Sequence, residues 1–283
     1  HYAQSESKAQ ISSDEIQRAI EAKYYRSNLI QEKIMDLIRR KTLMIELEGS
    51  KIGQINGISV LDLGDFKFGR PNKITVNVAS GKEGLIDIER EAKLGGPLHT
   101  KGVLILSGYL GEKYGQDKNI SLFASLVFEQ SYSEIEGDSA SSAELYAILS
   151  ALSQLPLKQW IAVSGSVNQK GEIQPVGAIN EKVEGYFEVC RQHGFNGKQG
   201  VMIPKGNMDH LMLKQEVVDA VKEGNFHVWA IGTVDEGIEL LTGHPAGRRL
   251  KSGSFSKNSV HDLVDQRIQA LNKVMTKKSN TKK

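Results

Sequence analysis

The chain has 283 residues, enough for one large domain or two small ones, and its 39% hydrophobic and 25% charged residues exclude a disordered or fibrous class. No apolar run approaches the roughly 20 residues that a membrane helix needs, no signal-peptide pattern opens it, and Cys190 as sole cysteine excludes an internal disulfide and suits a reducing, cytoplasmic setting. Residues 248–283 hold ten Lys or Arg against Asp262 and Asp265, so this end carries +8 and leaves −6 of the formal +2 to the body, which argues against a nucleic-acid-binding core.

Residue 1 is His, and the sequence reads as a piece or a processed form of a longer chain. Ser12 and Glu15 make a capping-box pattern. Ile16, Ile20, Ile30, Ile34, Leu37 and Ile38 follow at helical spacing, which predicts one long helix over 12–41, an arm or connector. Gly49 and Ser50 between two alternating runs predict a hairpin in "MIELEGSKIGQI". "NKITVNVA" alternates with Ile74, Val76 and Val78 on one face. "GVLILSGYL" (102–110) is a continuous apolar run, expected of a strand covered on both faces.

Leu122 and Leu126 give "SLFASLVFEQ" helical spacing, and "SAELYAILSALSQL" predicts a strong helix ended by Pro156. "WIAVSGSV" (160–167) is a predicted strand. "GEIQPVGAINEKVEGYFEVCRQHG" predicts a turn at Gly177, then a helix ended by Gly194. "GVMIPKGN" is a buried strand and "FHVWAIGTVDEGIELLTG" a strand, loop and helix. This alternation implies an α/β (α+β layered) domain. The expected division is a helical arm over 1–43, a body over 44–247, and a basic linker and tail over 248–283 with a short helix at 259–275. The tail reads as a solvated or partner-binding end rather than a nucleic-acid contact, and as removable from 251 onward without loss of folding. No G-x-x-x-x-G-K-[ST] loop is present, so this chain is not expected to bind ATP by that route.

Chemistry concentrates at "EIEGDSASSAEL" (134–145). Ser139 among small residues, where a helix begins, fits an N-cap. It also fits, less closely, the G-x-S-x-G elbow, with Ser141 in the last place and His193, His210, His227 or His244 needed as base. A lysine offers a third arrangement. "GEIQPVGAINEKVEG" puts Lys182 in the first turns of a helix behind Gly177 and Ala178. A serine hydroxyl is a poor nucleophile until a base takes its proton. A lysine is such a base only when burial lowers its pKa of about 10.4. Small neighbours let two helix starts approach and leave room for a peptide, and free N–H groups at the Ser139 helix start offer an oxyanion hole.

These residues carry a resemblance. "EGDSAS" at Ser139 and "GEIQPVGAINEK" ending at Lys182 resemble the Ser–Lys dyad of Lon proteases. "GQINGISV", "IEREAKLGG", "LHTKGVLILSGYL", "FEQSY", "VSGSVNQKGEIQPVGAINEKVEG" and "GVMIPKGN" extend the similarity over about 24–247, toward the LonB-like branch. The resemblance implies the Lon proteolytic-domain fold, Ser139 as nucleophile and Lys182 as general base. It also implies a homo-oligomeric ring, usually a hexamer, and unfolded or damaged proteins as substrates. It implies no metal or organic cofactor in this chain, with ATP acting only through an ATPase module that this chain lacks. Two departures stand out. Ser164 replaces the usual Thr, whose hydroxyl bonds the catalytic lysine, and the Ser hydroxyl is expected to do the same. Gly177-Ala178 replaces Gly-Gly, adding a methyl that narrows the site. The alternative reading is a latent, non-catalytic assembly module with the same fold.

The remaining candidates are weaker. Asp138 could set the lysine's charge, shape the site or cap the helix. Glu181 reads as a solvated helix residue, and His99 could support the active site but reads better as a core or surface histidine. Cys190 with His193 gives C-x-x-H on one helix face, better read as a packed cysteine than as a metal site or dyad.

Overall fold

A computed structural model describes residues 4, 6, 10–64 and 66–280. The rest of the expected arm, and Lys282 and Lys283 of the basic tail, lie outside the described residues. At the N-terminal end the Glu15 carboxylate accepts the Ser12 N–H at 2.8 Å, as the capping-box pattern requires. The single helix expected over 12–41 is two: α1 (Ser13–Ser27) and α2 (Leu29–Arg39), broken at Asn28, which closes one and opens the other. Met35 of α2 is buried while Ile16, Ile20, Leu29 and Ile30 are exposed.

A seven-stranded mixed sheet forms the centre. Its strands are β2 (Gln54–Asp62), β3 (Lys67–Ala79), β4 (Gly84–Asp87), β5 (Phe123–Phe128), β7 (Ile161–Val163), β10 (Gly200–Pro204) and β11 (His227–Ile231), in the order β11-β10-β7-β2-β3-β5-β4. β2 and β3 form a long antiparallel hairpin, β3 also runs antiparallel to β5, and β7, β10 and β11 run parallel to one another and to β2. The two-residue β1 (Ser50–Lys51) pairs with β6 (Leu157–Lys158), and β8 (Ser166–Val167) with β9 (Ile173–Gln174). The hairpin expected about Gly49 and Ser50 is therefore not formed. Residues 44–48 leave the sheet, because Leu47 is drawn into the core beside Met35 and Ile45 packs on the same cluster.

Two further expectations are overturned, and they exchange places. "GVLILSGYL" lies in a helix with the short α3 (Ile88–Glu91) before it: α4 (Pro97–Tyr114), which opens on Gly96 and Pro97. An apolar run cannot by itself distinguish a buried strand from a helix. The burial pattern decides, since Val103, Leu106 and Leu110 are buried and Leu104 is 58% exposed. "SLFASLVFEQ" contains β5, with Ala124, Leu126 and Phe128 buried in alternation. Leu122 and Leu126 stand four apart, a spacing that fits a period of two as well as 3.6.

Helices cover both faces of the sheet. On one lie α4, α5 (Ser141–Ser153), α8 (Val234–Thr242) and α9 (Val260–Asn280), packed on Ile55, Ile74, Val163 and Met202. On the other lie α2, α6 (Ile179–His193) and α7 (Gln215–Lys222), packed on Ile58, Ala162, Val201 and Ile203. Neighbouring residues of β7 and β10 thus serve opposite cores, and such strands read as unbroken apolar runs. The predicted strand over 160–167 is broken at Ser164 and Gly165 into β7 and β8. The helix expected over 259–275 extends over Val260–Asn280, and it is not a solvated tail. Val260, Val264, Ile268 and Leu271 are buried in the same core as α5.

Candidate active site

Ser139 and Lys182 come from elements on opposite faces of the sheet and line one cavity of about 500 Å³, together with Asp138, Gly177 and Ala178. The β2–β3 hairpin walls it through Ile58, Leu61, Arg70 and Asn72. None of His193, His210, His227 and His244 lines it. No strand immediately precedes Ser139, because β5 ends at Phe128, so the strand–turn–helix context of the hydrolase elbow is absent here.

Ser139 lies two residues ahead of α5 and is not its cap. Ala140 holds the cap position without a side-chain bond. The turn is held by its backbone instead. The Ser139 carbonyl accepts the Gly165 N–H at 2.8 Å, the Asp138 carbonyl accepts the Ser141 N–H at 3.0 Å, and the Gly165 carbonyl accepts the Ser142 N–H at 3.1 Å. Ser142 Oγ donates a second bond to that carbonyl at 2.7 Å, and Ser141 Oγ accepts the Val167 N–H at 3.1 Å. The cluster of small serines therefore sutures the start of α5 to the break between β7 and β8. The Asp138 and Gly165 carbonyls take up the Ser141 and Ser142 N–H groups, which the oxyanion reading had available. Among the described residues the Gly137, Asp138, Ser139 and Ala140 N–H groups of this turn have no backbone acceptor. Gly102 of α4 makes room, since a Cβ there would stand 3.2 Å from Asp138 Cβ.

Lys182 sits one turn into α6, its N–H bonded to the Ala178 carbonyl at 3.1 Å. Its side chain is 3% exposed. Burial drives its pKa down from 10.5 to about 8, against the pull of the Asp138 carboxylate, which favours the charged form. Asp138 thus acts on the lysine electrostatically and is not a side-chain cap. No hydrogen bond joins the Ser139 and Lys182 side chains. Ser164 departs from the expectation. Its Oγ is buried without a hydrogen-bond partner, it does not line the cavity, and it makes no bond to the lysine amine; its N–H bonds the Met202 carbonyl at 3.0 Å.

Ala178 has φ +54°, the left-handed conformation that favours glycine. The Gly-Ala pair is therefore a matter of backbone strain more than of a narrowed site. Glu181 lines a second cavity on the far side of α6 with Tyr24, Phe68 and Lys214. His99 is buried, its Nε2 3.0 Å from Asp87 and its Nδ1 3.7 Å from Glu144. Burial pushes the Glu144 carboxyl up to about 8 and that of Glu89 nearby to about 7. Cys190 is buried with its thiol pKa raised, while His193 is exposed beside Glu48; among the described residues no group of His, Cys, Asp or Glu could hold a metal. Arg70 and Asn72 carried no signal in the sequence, because nothing local marks which residues of a strand face a distant turn.

Residues 133–242 match the family model of the Lon protease (S16) C-terminal proteolytic domain. The chain belongs to the Lon protease family. It is 44% identical over 232 residues to a Lon protease homolog of Escherichia coli (strain K12), 81% of this chain and 40% of that protein. It is 36% identical over 264 residues to a second such homolog from Haemophilus influenzae, 93% of this chain and 44% of that one. An archaeal Lon protease of Pyrococcus abyssi is 30% identical over 203 residues, 71% of this chain and 19% of its own length. The Lon-type chain thus spans less than half the length of these relatives. Among the described residues no helix is long and apolar enough to cross a membrane.

Proposed function

We propose that this Lon-type domain is a serine peptidase in which Ser139 is the nucleophile and Lys182 the general base. The observation that carries the reading is Lys182 itself. It is a cation held almost out of solvent, its pKa brought down to about 8 by burial, in the cavity that also holds Ser139. Such burial is costly and is commonest where the neutral amine has work to do. The neutral Nζ takes the Ser139 hydroxyl proton as Oγ attacks the scissile carbonyl. We assign the oxyanion to the Ser139 and Ala140 N–H groups, which have no backbone acceptor. As the C–N bond breaks, the ammonium returns its proton to the leaving amine. Lys182 then takes a proton from the water that attacks the acyl-serine and returns it to Ser139 Oγ as the ester C–O bond breaks and the acid leaves.

Asp138 tunes the lysine's charge, and Ser164 Oγ, buried and unpartnered, is a candidate orienting group once the amine moves. This chemistry needs no metal or organic cofactor. In the whole protein we assign α1 and α2 to a connector and expect ATP to act through an ATPase module outside this chain, with unfolded or damaged proteins as substrates, a hexameric ring and a cytoplasmic location. The family and the free, buried Cys190 support these assignments. The second reading, a latent ring module, is favoured by the absent Ser139–Lys182 hydrogen bond; unliganded catalytic bonds are often long and tighten on binding. A fluorophosphonate probe separates the two. The peptidase reading expects labelling of wild type and none of Ser139→Ala or Lys182→Ala; equal labelling of wild type and Ser139→Ala would overturn it.

A further inference from the structure

Arg70 lies within β3, opposite Ser59 of β2, and lines the Ser139–Lys182 cavity beside Asn72. Its carbonyl is used, accepting a long 3.4 Å bond from Asn72 Nδ2. Its guanidinium is not. Among the described residues Arg70 makes no side-chain hydrogen bond, ion pair or ring contact. Arg39 and Arg40 hold Asp36, Arg90 holds Glu91, and Arg191 holds Glu188 and Glu216. The other arginines without such a partner, Arg26, Arg248 and Arg267, are exposed and solvated, whereas Arg70 is half-buried. Burial lowers its pKa, and among the described residues no carboxylate counters that shift. The acidic residues of the cavity, Glu134, Glu136 and Asp138, lie on the segment leading to Ser139. Glu136 is engaged at 3.3 Å with the Leu98 N–H, and Asp138 acts on Lys182. A half-buried cation without a counter-ion is unfavourable and is relieved by an anionic ligand. A planar guanidinium matches a carboxylate with two parallel hydrogen bonds.

We propose that Arg70 is a specificity contact of the substrate cavity and binds a carboxylate of the peptide, either an Asp or Glu side chain near the scissile bond or the free chain terminus. That the ligand is a peptide rests on the peptidase reading above; that the site takes a carboxylate does not.

The test is binding to the Ser139→Ala chain, read by fluorescence anisotropy, so that it does not depend on turnover. Labelled, C-terminally amidated peptides differ only in Glu against Gln at each position flanking one scissile bond, and a third peptide carries Gln throughout with a free terminal carboxylate. At least one carboxylate peptide should bind about tenfold more tightly than the amidated Gln peptide, as a charge-assisted pair would give. Adding Arg70→Gln should bring that ratio to about one, and Arg70→Glu should favour a Lys peptide instead. The arm with the preference identifies the source of the carboxylate. Ratios within twofold on the Arg70-containing chain, for every position and for the free terminus, would overturn the proposal without needing a folded variant. A changed oligomer mass in Arg70→Gln, with a ratio near one before the substitution, would assign the guanidinium to a second copy and overturn it too. Failure of the dyad reading shows separately, as unchanged hydrolysis in Ser139→Ala.

Discussion

Gly69 of β3 and Gly185 of α6 meet backbone to backbone. A Cβ on Gly185 would stand 2.0 Å from the Gly69 carbonyl oxygen, and one on Gly69 would stand 2.6 Å from Lys182 Cα. A glycine inside a helix costs about 1 kcal/mol against alanine, and here it lets α6 lie directly on the strand that walls the cavity. Gly185→Ala should therefore destabilise the domain by about 1–3 kcal/mol through overpacking, despite its better helix propensity. It should also lower kcat/KM by lifting Lys182 away from Ser139. A thermal melt and peptide kinetics on one preparation check both, and an unchanged melt would refute the contact.

The pH–rate profile follows from the buried lysine. A base with its pKa brought down to about 8 should give a kcat/KM that rises through a single inflection near that value. A histidine base would put the inflection near 6.5. The measurement is hydrolysis of a short fluorogenic peptide from pH 6 to about 10, with assembly followed at each point.

Stability should carry the same signature with a definite sign. Lys182 has its folded pKa depressed below 10.5, so the folded state binds fewer protons than the unfolded one between about 8 and 10.5. Below 8 both states are protonated and the fold bears the full cost of the buried charge, about 3 kcal/mol. Above 10.5 both are neutral and the cost is gone. Lys182→Met should thus exceed wild type in stability near neutral pH, and the margin should shrink as pH rises through that window. Denaturant unfolding at pH 7 and at about pH 10 compares the two.

Ala178 occupies a left-handed backbone at φ +54°, immediately before α6. Glycine adopts that conformation without the Cβ penalty, so Ala178→Gly should stabilise the fold by about 1 kcal/mol. A rise of about 2–4 °C in Tm is the expected readout.

Removal of residues 251–283 should unfold the domain, contrary to what the polar, basic composition of that end suggests. Val260, Val264, Ile268 and Leu271 each bury an apolar side chain worth about 1.5–3 kcal/mol, and together they rival the whole stability of a typical domain. His261 adds a buried tether, with Nδ1 2.6 Å from the Tyr114 hydroxyl and Nε2 2.8 Å from Asp235. Its pKa is lowered by burial, so the neutral ring accepts from Tyr114 and donates to Asp235. Soluble, active protein after truncation would contradict this packing.

The sequence determined the layered α/β class, the helices at 141–153 and 179–193, and the chemical promise of Ser139 and Lys182. Those features are written in short-range signals: Gly137 and Gly177 ahead of helical runs, small residues about one serine, one lysine in the first turns of a helix. Only the tertiary structure decided the rest. Leu122 and Leu126 satisfy both periods, and β5 became a strand because β3 and β4 flank it. The apolar 102–110 run became α4 because the strand positions were filled by other segments and its buried side was needed over the sheet. The tail became α9 because the outer side of α5, buried along its whole length, required a cover. The approach of Ser139 and Lys182 depends on two helices that cover opposite faces of one sheet, and Arg70 reaches their cavity through strand register alone. Local pattern fixes what each segment can be; which alternative it takes depends on burying both faces of the sheet at once, a condition that no single segment carries.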